Sequence, residues 1–137
     1  TGHARQGSTR SPQWTHGGVV FAPTPRDYSF KLNKKEKRIA LKSALTSKVQ
    51  DGKVMVLDEL KLDEIKTKKF QEVLTNLNAQ KALVVIKEND KNIVLSARNI
   101  PDAQTIIADS INVYDIMKAG TVVLTKDSVA KIEEVYA

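Results

Sequence analysis

Hydrophobic residues in the last hundred positions of the chain form short unbroken runs, separated by stretches with helical spacing. The runs predict buried strands at 53–57, 82–86, 105–108 and 121–125, because a strand covered on both faces carries apolar residues at consecutive positions. Between them, apolar residues recur three and four positions apart, as in helices. The predicted fold class is α/β: a mostly parallel four-stranded sheet flanked by helices on both faces, with a long basic N-terminal extension.

The first predicted helix begins after Asn33, a suitable N-cap, which Glu36 follows at the third helical position as in a capping box. The helix is expected to span 34–50 and to stop at Gly52. Its apolar side is predicted to consist of Leu41, Ala44, Leu45 and Val49. Thr67 is expected to cap a second helix at 68–78, and further helical segments are predicted at 90–97, 113–118 and 126–136.

The first 38 residues differ from the rest in charge and composition. They contain eight Lys or Arg against two Asp or Glu, which gives the formal net charge of the whole chain, +6, and the remaining residues are neutral in sum. They also contain four of the six glycines and three of the four prolines, without a sustained helical or strand period before Asn33. Such a segment suits a surface of phosphates and bases better than a protein core. The predicted domains are therefore a basic arm at 1–32 and an α/β body at 33–137.

Basic and aromatic positions are the candidate RNA contacts. Lys35, Arg38 and Lys42 share one helical face, which could be solvated, but their continuity with the arm favours nucleic acid. Trp14 stands outside any apolar period, which favours stacking on a base or packing against RNA. Arg98 could be a second contact or a structural helix-end arginine, and both interpretations stay open. The full candidate set is Arg5, Arg10, Trp14, His16, Arg26, Lys31, Lys34, Lys35, Lys37, Arg38, Lys42 and Arg98.

The sequence contains few residues that could form a catalytic or cofactor site. Asp58 and Glu59 follow the first strand where a nucleotide-binding fold needs a glycine-rich turn, and two carboxylates would repel phosphate. The chain has no cysteine, and its only histidines are His3 and His16, too few for a metal site without other ligands. The carboxylate pairs 58–59 and 63–64 are interpreted as solvated acidic loops. We therefore expect neither an enzyme nor a resident cofactor or metal.

Several motifs, in order along the chain, carry a resemblance to a known family. They are TGHARQGS at 1–8, RSPQW at 10–14, GGVVF at 17–21, PTPR at 23–26, NKK at 33–35, ALKSAL at 40–45 and LSARN at 95–99. Together they resemble the bacterial family of large-ribosomal-subunit protein four, over essentially the whole chain. The family commonly has basic residues where His3 and the pair Thr15-His16 stand, so those contacts are expected to be weaker or pH-dependent. Since Thr1 opens in mid-loop composition, we expect a fragment that lacks the family's N-terminal region and half of its loop.

The resemblance implies a structural rRNA-binding protein of the cytoplasmic ribosome. It implies that the α/β body lies on the subunit surface and that the arm is half of a loop threading rRNA to the wall of the nascent-peptide exit tunnel. Thr1, Gly2 and His3 would be nearest the tunnel, and the tunnel-lining protein twenty-two of the same subunit would be a neighbour. Two alternatives remain: an RNA-modifying enzyme with a basic arm, and a general interaction module with a disordered cationic tail.

Overall fold

A computed structural model describes Gly2 and residues 5–136. The chain divides into two compact units, Thr1–Lys31 and Leu32–Ala137. The first unit contains turns and extended chain in its described residues, with no helix or strand among them. None of the helices within the described part is long and apolar enough to cross a membrane.

The second unit alternates strands and helices along the chain. The strands are β1 (Val54–Leu57), β2 (Ala82–Ile86), β3 (Ala103–Ile107) and β4 (Thr121–Thr125). The helices are α1 (Lys34–Gln50), α2 (Thr67–Asn76), α3 (Lys91–Ala97), α4 (Val113–Lys118) and α5 (Lys126–Tyr136), and a 3-10 turn occupies Ala108–Ser110.

The four strands form one sheet in the order β1-β4-β2-β3. Every neighbouring pair is parallel, which confirms the predicted parallel α/β sheet. All five residues of β2 are buried, and four of the five in β4 are buried, whereas the edge strands β1 and β3 are only partly covered. Unbroken apolar runs therefore mark the two central strands most clearly, because only these are covered on both faces and both edges.

Helices cover both faces of the sheet, as predicted. Successive side chains of β2 point to opposite faces. Leu83 and Val85 join a first core cluster with residues of α1, α4 and α5, and Val84 joins a second cluster with Phe70 of α2 and Ile93 of α3. The sheet therefore separates α1, α4 and α5 from α2 and α3.

Several predicted boundaries differ from the structure by one or two residues, and two of these differences show tertiary contacts overriding local signals. Helix α2 begins at Thr67 itself, and the residue before it, Lys66, occupies the N-cap without a side-chain cap. The backbone N–H of Lys66 instead donates to Ser96 Oγ of α3, at 3.0 Å. Strand β3 begins at Ala103 rather than residue 105, because its ladder with β2 pairs Ala103 with Ala82.

The inward side of α1 also differs from the prediction at one position. Val49 is 62% exposed, whereas the neighbouring Lys48 is buried. The Nζ of Lys48 donates to the carbonyl oxygen of Ala119, at 2.7 Å. Ala119 ends α4, where helix carbonyls lack intrahelical partners and attract a cation. Lys48 therefore joins α1 to the end of α4, a contact that hydrophobic spacing does not indicate.

We expect Lys48→Met to lower the free energy of unfolding by about 1–3 kcal/mol, since it leaves a buried carbonyl oxygen without its donor. Lys42→Met is the matched control, because it makes the same change at an exposed position of the same helix and should alter stability by less than about 0.5 kcal/mol. Urea unfolding of the 137-residue chain measures both. Equal midpoints for the two variants would show that the Lys48 contact contributes nothing.

Candidate nucleic-acid interface

The first two turns of α1 display cations because no core lies beneath them. The backbone N–H of Asn33 donates to the Glu36 carboxylate at 3.0 Å, so the helix begins where the sequence predicts. Burial begins only at Leu41, and every residue in 34–40 is exposed. The start of α1 is therefore rich in exposed positive charge, and its one carboxylate, Glu36, is engaged with the helix N-terminus.

The predicted stripe of Lys35, Arg38 and Lys42 is exposed along its full length. The described residues contain five ion pairs, all between positions 51 and 134. Across that same described part, none of the cations from Arg5 to Lys42 is in an ion pair. The positive charges of this region are therefore not paired with carboxylates of the described residues.

An apolar groove runs beside the basic part of α1. It encloses about 710 Å³ between the start of α1, the segment before α4 and the end of α5. Lys34, Lys37 and Arg38 line it, whereas Lys35 and Lys42 do not. The predicted cations of α1 thus fall on two sides of the helix, with Arg38 belonging to both. The apolar residues lining the groove are Leu32, Ala40, Leu41, Ile111, Val113, Val135 and Tyr136.

A hydrogen-bonded turn in the first unit contains Arg10, Trp14 and His16. Backbone N–H groups of Trp14, Gly17 and Gly18 donate to the carbonyl oxygens of Ser11, Trp14 and Arg10, at 3.0, 2.9 and 2.9 Å. His16 has a positive φ of 65°. A Cβ on Gly17 would lie 1.9 Å from the Ser11 carbonyl oxygen, so the turn requires glycine at that position.

Trp14 lies at the surface of this turn, with 41% of its area exposed. Arg5, Arg10, His16, Arg26 and Lys31 are also exposed. An exposed aromatic ring in a segment that also carries exposed cations suits contact with nucleic acid. Of the residues predicted nearest the tunnel, Thr1 and His3 lie outside the described residues, and Gly2 is exposed with φ of 73°.

Arg98 lies apart from the basic stripe. It is exposed at the end of α3, and its backbone N–H donates to the Val94 carbonyl oxygen at 3.0 Å. Helix α3 packs in the second cluster and α1 in the first, so the sheet separates Arg98 from Lys35, Arg38 and Lys42. If Arg98 contacts RNA, it does so on the opposite face of the sheet.

The carboxyl edge of the sheet is acidic. A cavity of about 730 Å³ lies there, lined by the carboxylates of Asp58, Glu59, Glu88, Asp90 and Asp127. Lysines share the lining, and the Glu59 carboxylate raises the pKa of Lys61 through a hydrogen bond and charge attraction. Clustered carboxylates repel phosphate, so this edge does not suit the nucleotide sites common on parallel sheets. Among the described residues no group of histidines and carboxylates is arranged to hold a metal ion.

Comparison with known proteins adds an independent observation. Residues 1–135 match the model of the family described as "Ribosomal protein L4/L1 family". The chain is 70% identical to large ribosomal subunit protein uL4 of Agathobacter rectalis and 68% identical to that of Lachnospira eligens, over all 137 residues. It is 59% identical to the protein of the same name from Thermoanaerobacter pseudethanolicus. In each case it spans 66% of the relative's length.

We expect Gly17→Ala to open the turn around Trp14, because the added Cβ cannot fit against the Ser11 carbonyl. Trp14 is the only tryptophan, so acrylamide quenching of tryptophan fluorescence reports on this turn alone. The quenching constant should rise in Gly17→Ala. It should stay unchanged in Gly7→Ala, where a Cβ meets nothing within 4 Å. If the two variants quench alike, the turn does not depend on Gly17.

Proposed function

Because the chain belongs to the ribosomal protein L4/L1 family, we propose that it is a non-catalytic structural constituent of the large ribosomal subunit that binds rRNA. Its place of action is the ribosome in the cytoplasm. High identity to proteins named uL4 over the whole chain supports this proposal. The partners are large-subunit rRNA and neighbouring proteins of that subunit.

The observation that carries the proposal is the exposed positive charge between Arg5 and Lys42, which has no carboxylate partners within the described part of the chain. Each Lys or Arg that contacts a phosphate releases condensed counterions, and this entropy gain makes binding strong and salt-dependent. Ion-paired lysines in the body, such as Lys61 and Lys66, have part of their charge neutralised. The interface therefore comprises the arm and the exposed side of α1.

The arm, taken as residues 1–32, reaches the wall of the nascent-peptide exit tunnel in this proposal, and the body at 33–137 stays at the subunit surface. Thr1, Gly2 and His3 lie nearest the tunnel, where the tunnel-lining protein twenty-two is the neighbour. Support comes from the family match through residue 1 and from the glycine- and proline-rich composition, which lets backbone approach RNA closely.

Two other functions remain as alternatives, and the geometry favours neither. An RNA-modifying enzyme needs a site for its methyl or other group donor, whereas the carboxyl edge of this sheet is lined with carboxylates. A general interaction module with a cationic tail would bind any polyanion, so its binding should depend on salt but not on RNA structure. Comparing large-subunit rRNA with heparin distinguishes this module from an rRNA-binding protein.

Replacing Lys35, Arg38 and Lys42 with Gln should weaken binding to bacterial large-subunit rRNA. The slope of log K against log salt should fall by about 1 for each lost phosphate contact. The matched control replaces Lys61, Lys66 and Lys131 with Gln, which removes the same charge from lysines that are ion-paired. Filter binding across a series of salt concentrations measures both. If the two triple variants have equal slopes, only net charge matters and the stripe is a solvated face.

The arm as a whole should become ordered only on RNA. In the free chain, amide exchange should be fast through residues 5–25, apart from the hydrogen-bonded amides of Trp14, Gly17 and Gly18 in the turn, and slow in β2, whose residues are all buried. The reason is that the arm has too little apolar area to offset its backbone entropy. After assembly into large subunits, the arm should be protected from exchange and its first residues should crosslink to rRNA and to protein twenty-two. Strong protection of residues 5–25 without RNA would contradict this coupling of folding and binding.

A further inference from the structure

The segment Arg26–Lys31 alternates two kinds of side chain. The guanidinium carbon of Arg26 lies 4.4 Å from the centre of the Tyr28 ring, so these two side chains share one side of the segment. Asp27 and Ser29 contact each other: the Asp27 carboxylate accepts from the Ser29 backbone N–H at 2.8 Å and from its hydroxyl at 2.9 Å. Phe30 follows Tyr28 two residues later in the same segment, which contains no helix or strand.

Both aromatic rings of this segment are open to solvent. Tyr28 is 74% exposed and Phe30 is 82% exposed. Arg26 covers part of one Tyr28 face, and an arginine above an aromatic ring is a common partner for a stacked nucleobase. Two exposed rings and a guanidinium thus form a surface that can offer π-faces to bases.

The single carboxylate of this segment, Asp27, is hydrogen-bonded to Ser29. Its hydrogen bonds to Ser29 hold the pKa of Asp27 below its usual value, the backbone bond having the larger effect. The carboxylate therefore stays ionised and bound to Ser29. The cations Arg26 and Lys31 flank the two rings in the sequence. The charge near the rings is therefore complementary to a polyanion rather than to an apolar protein surface.

We propose that Arg26, Tyr28 and Phe30 form a stacking site for unpaired bases of RNA. This inference rests on the proposed rRNA-binding function and names the RNA structure that this part of the arm binds. Bases in a duplex present only their edges, because their faces are stacked on one another, whereas splayed bases of loops and single strands can stack on protein rings. The site therefore selects unpaired RNA, which phosphate contacts alone do not distinguish.

The test compares two labelled RNAs by fluorescence anisotropy: an oligoadenylate and a blunt RNA duplex with the same number of phosphates. In the 137-residue chain, Tyr28→Leu with Phe30→Leu keeps apolar volume but removes both rings. Its affinity for oligoadenylate should fall about tenfold for each base that loses a stacking partner. Its affinity for the duplex and its salt slope should not change. Tyr28→Phe, which retains the ring, should bind as the unaltered chain does.

Phe21→Leu is the matched control, because Phe21 is an aromatic residue of the same arm, 97% exposed, outside the alternating segment. It should leave both affinities unchanged. The proposal is overturned if the double variant binds oligoadenylate normally, if it loses affinity for both RNAs equally, or if Phe21→Leu causes the same loss. A different result would contradict the proposed function itself: the unaltered chain would show no salt-dependent binding to large-subunit rRNA.

Discussion

Burial of the two central strands on both faces is the constraint that arranges the second unit. Strand β2 is covered along its whole length, so helices must pack against each side of the sheet, and α1 is one of those required on the first side. Contact with the core starts at Leu41, seven residues after the helix begins. The same packing that holds α1 in place thus leaves its first two turns in solvent, fixed in direction and rich in cations.

The part of the chain that packs into the core and the part that does not also differ in how their positive charges are paired. In the described part of the body, lysines such as Lys53 and Lys131 find carboxylates close by along the chain. These pairs are exposed and contribute little to stability, but they reduce the positive field of the body. From Arg5 to Lys42 the cations lack such partners among the described residues, so the field there extends outward over a screening length of about 10 Å at 0.1 M salt. In the proposed function, a phosphate backbone is attracted to that region first.

Local pattern predicted the sheet and most helix limits, and it failed where contacts between distant residues decide. The bounds of α1 follow from Asn33 and Glu36 at its start and Gly52 after its end, each acting within a few residues of the helix end that it determines. Lys48 could not be predicted as buried, because its partner, the carbonyl of Ala119, lies 71 residues away. The concentration of cations between Arg5 and Lys42 is evident from the sequence. Their division between a groove side and an outer side is not, since the groove is completed by α5.

Cations and aromatic rings act on RNA over different distances, so the two kinds of contact have distinct roles in binding. Coulomb attraction acts before contact and is insensitive to base pairing, so the exposed side of α1 can attract RNA of any structure. Stacking acts only at van der Waals distance and requires an accessible base face. Tyr28 and Phe30 follow the turn around Trp14 along the chain and precede the cations of α1. A chain arranged in this order can first attract RNA through its positive charge. Stacking on the rings can then hold more tightly those RNAs that have unpaired bases.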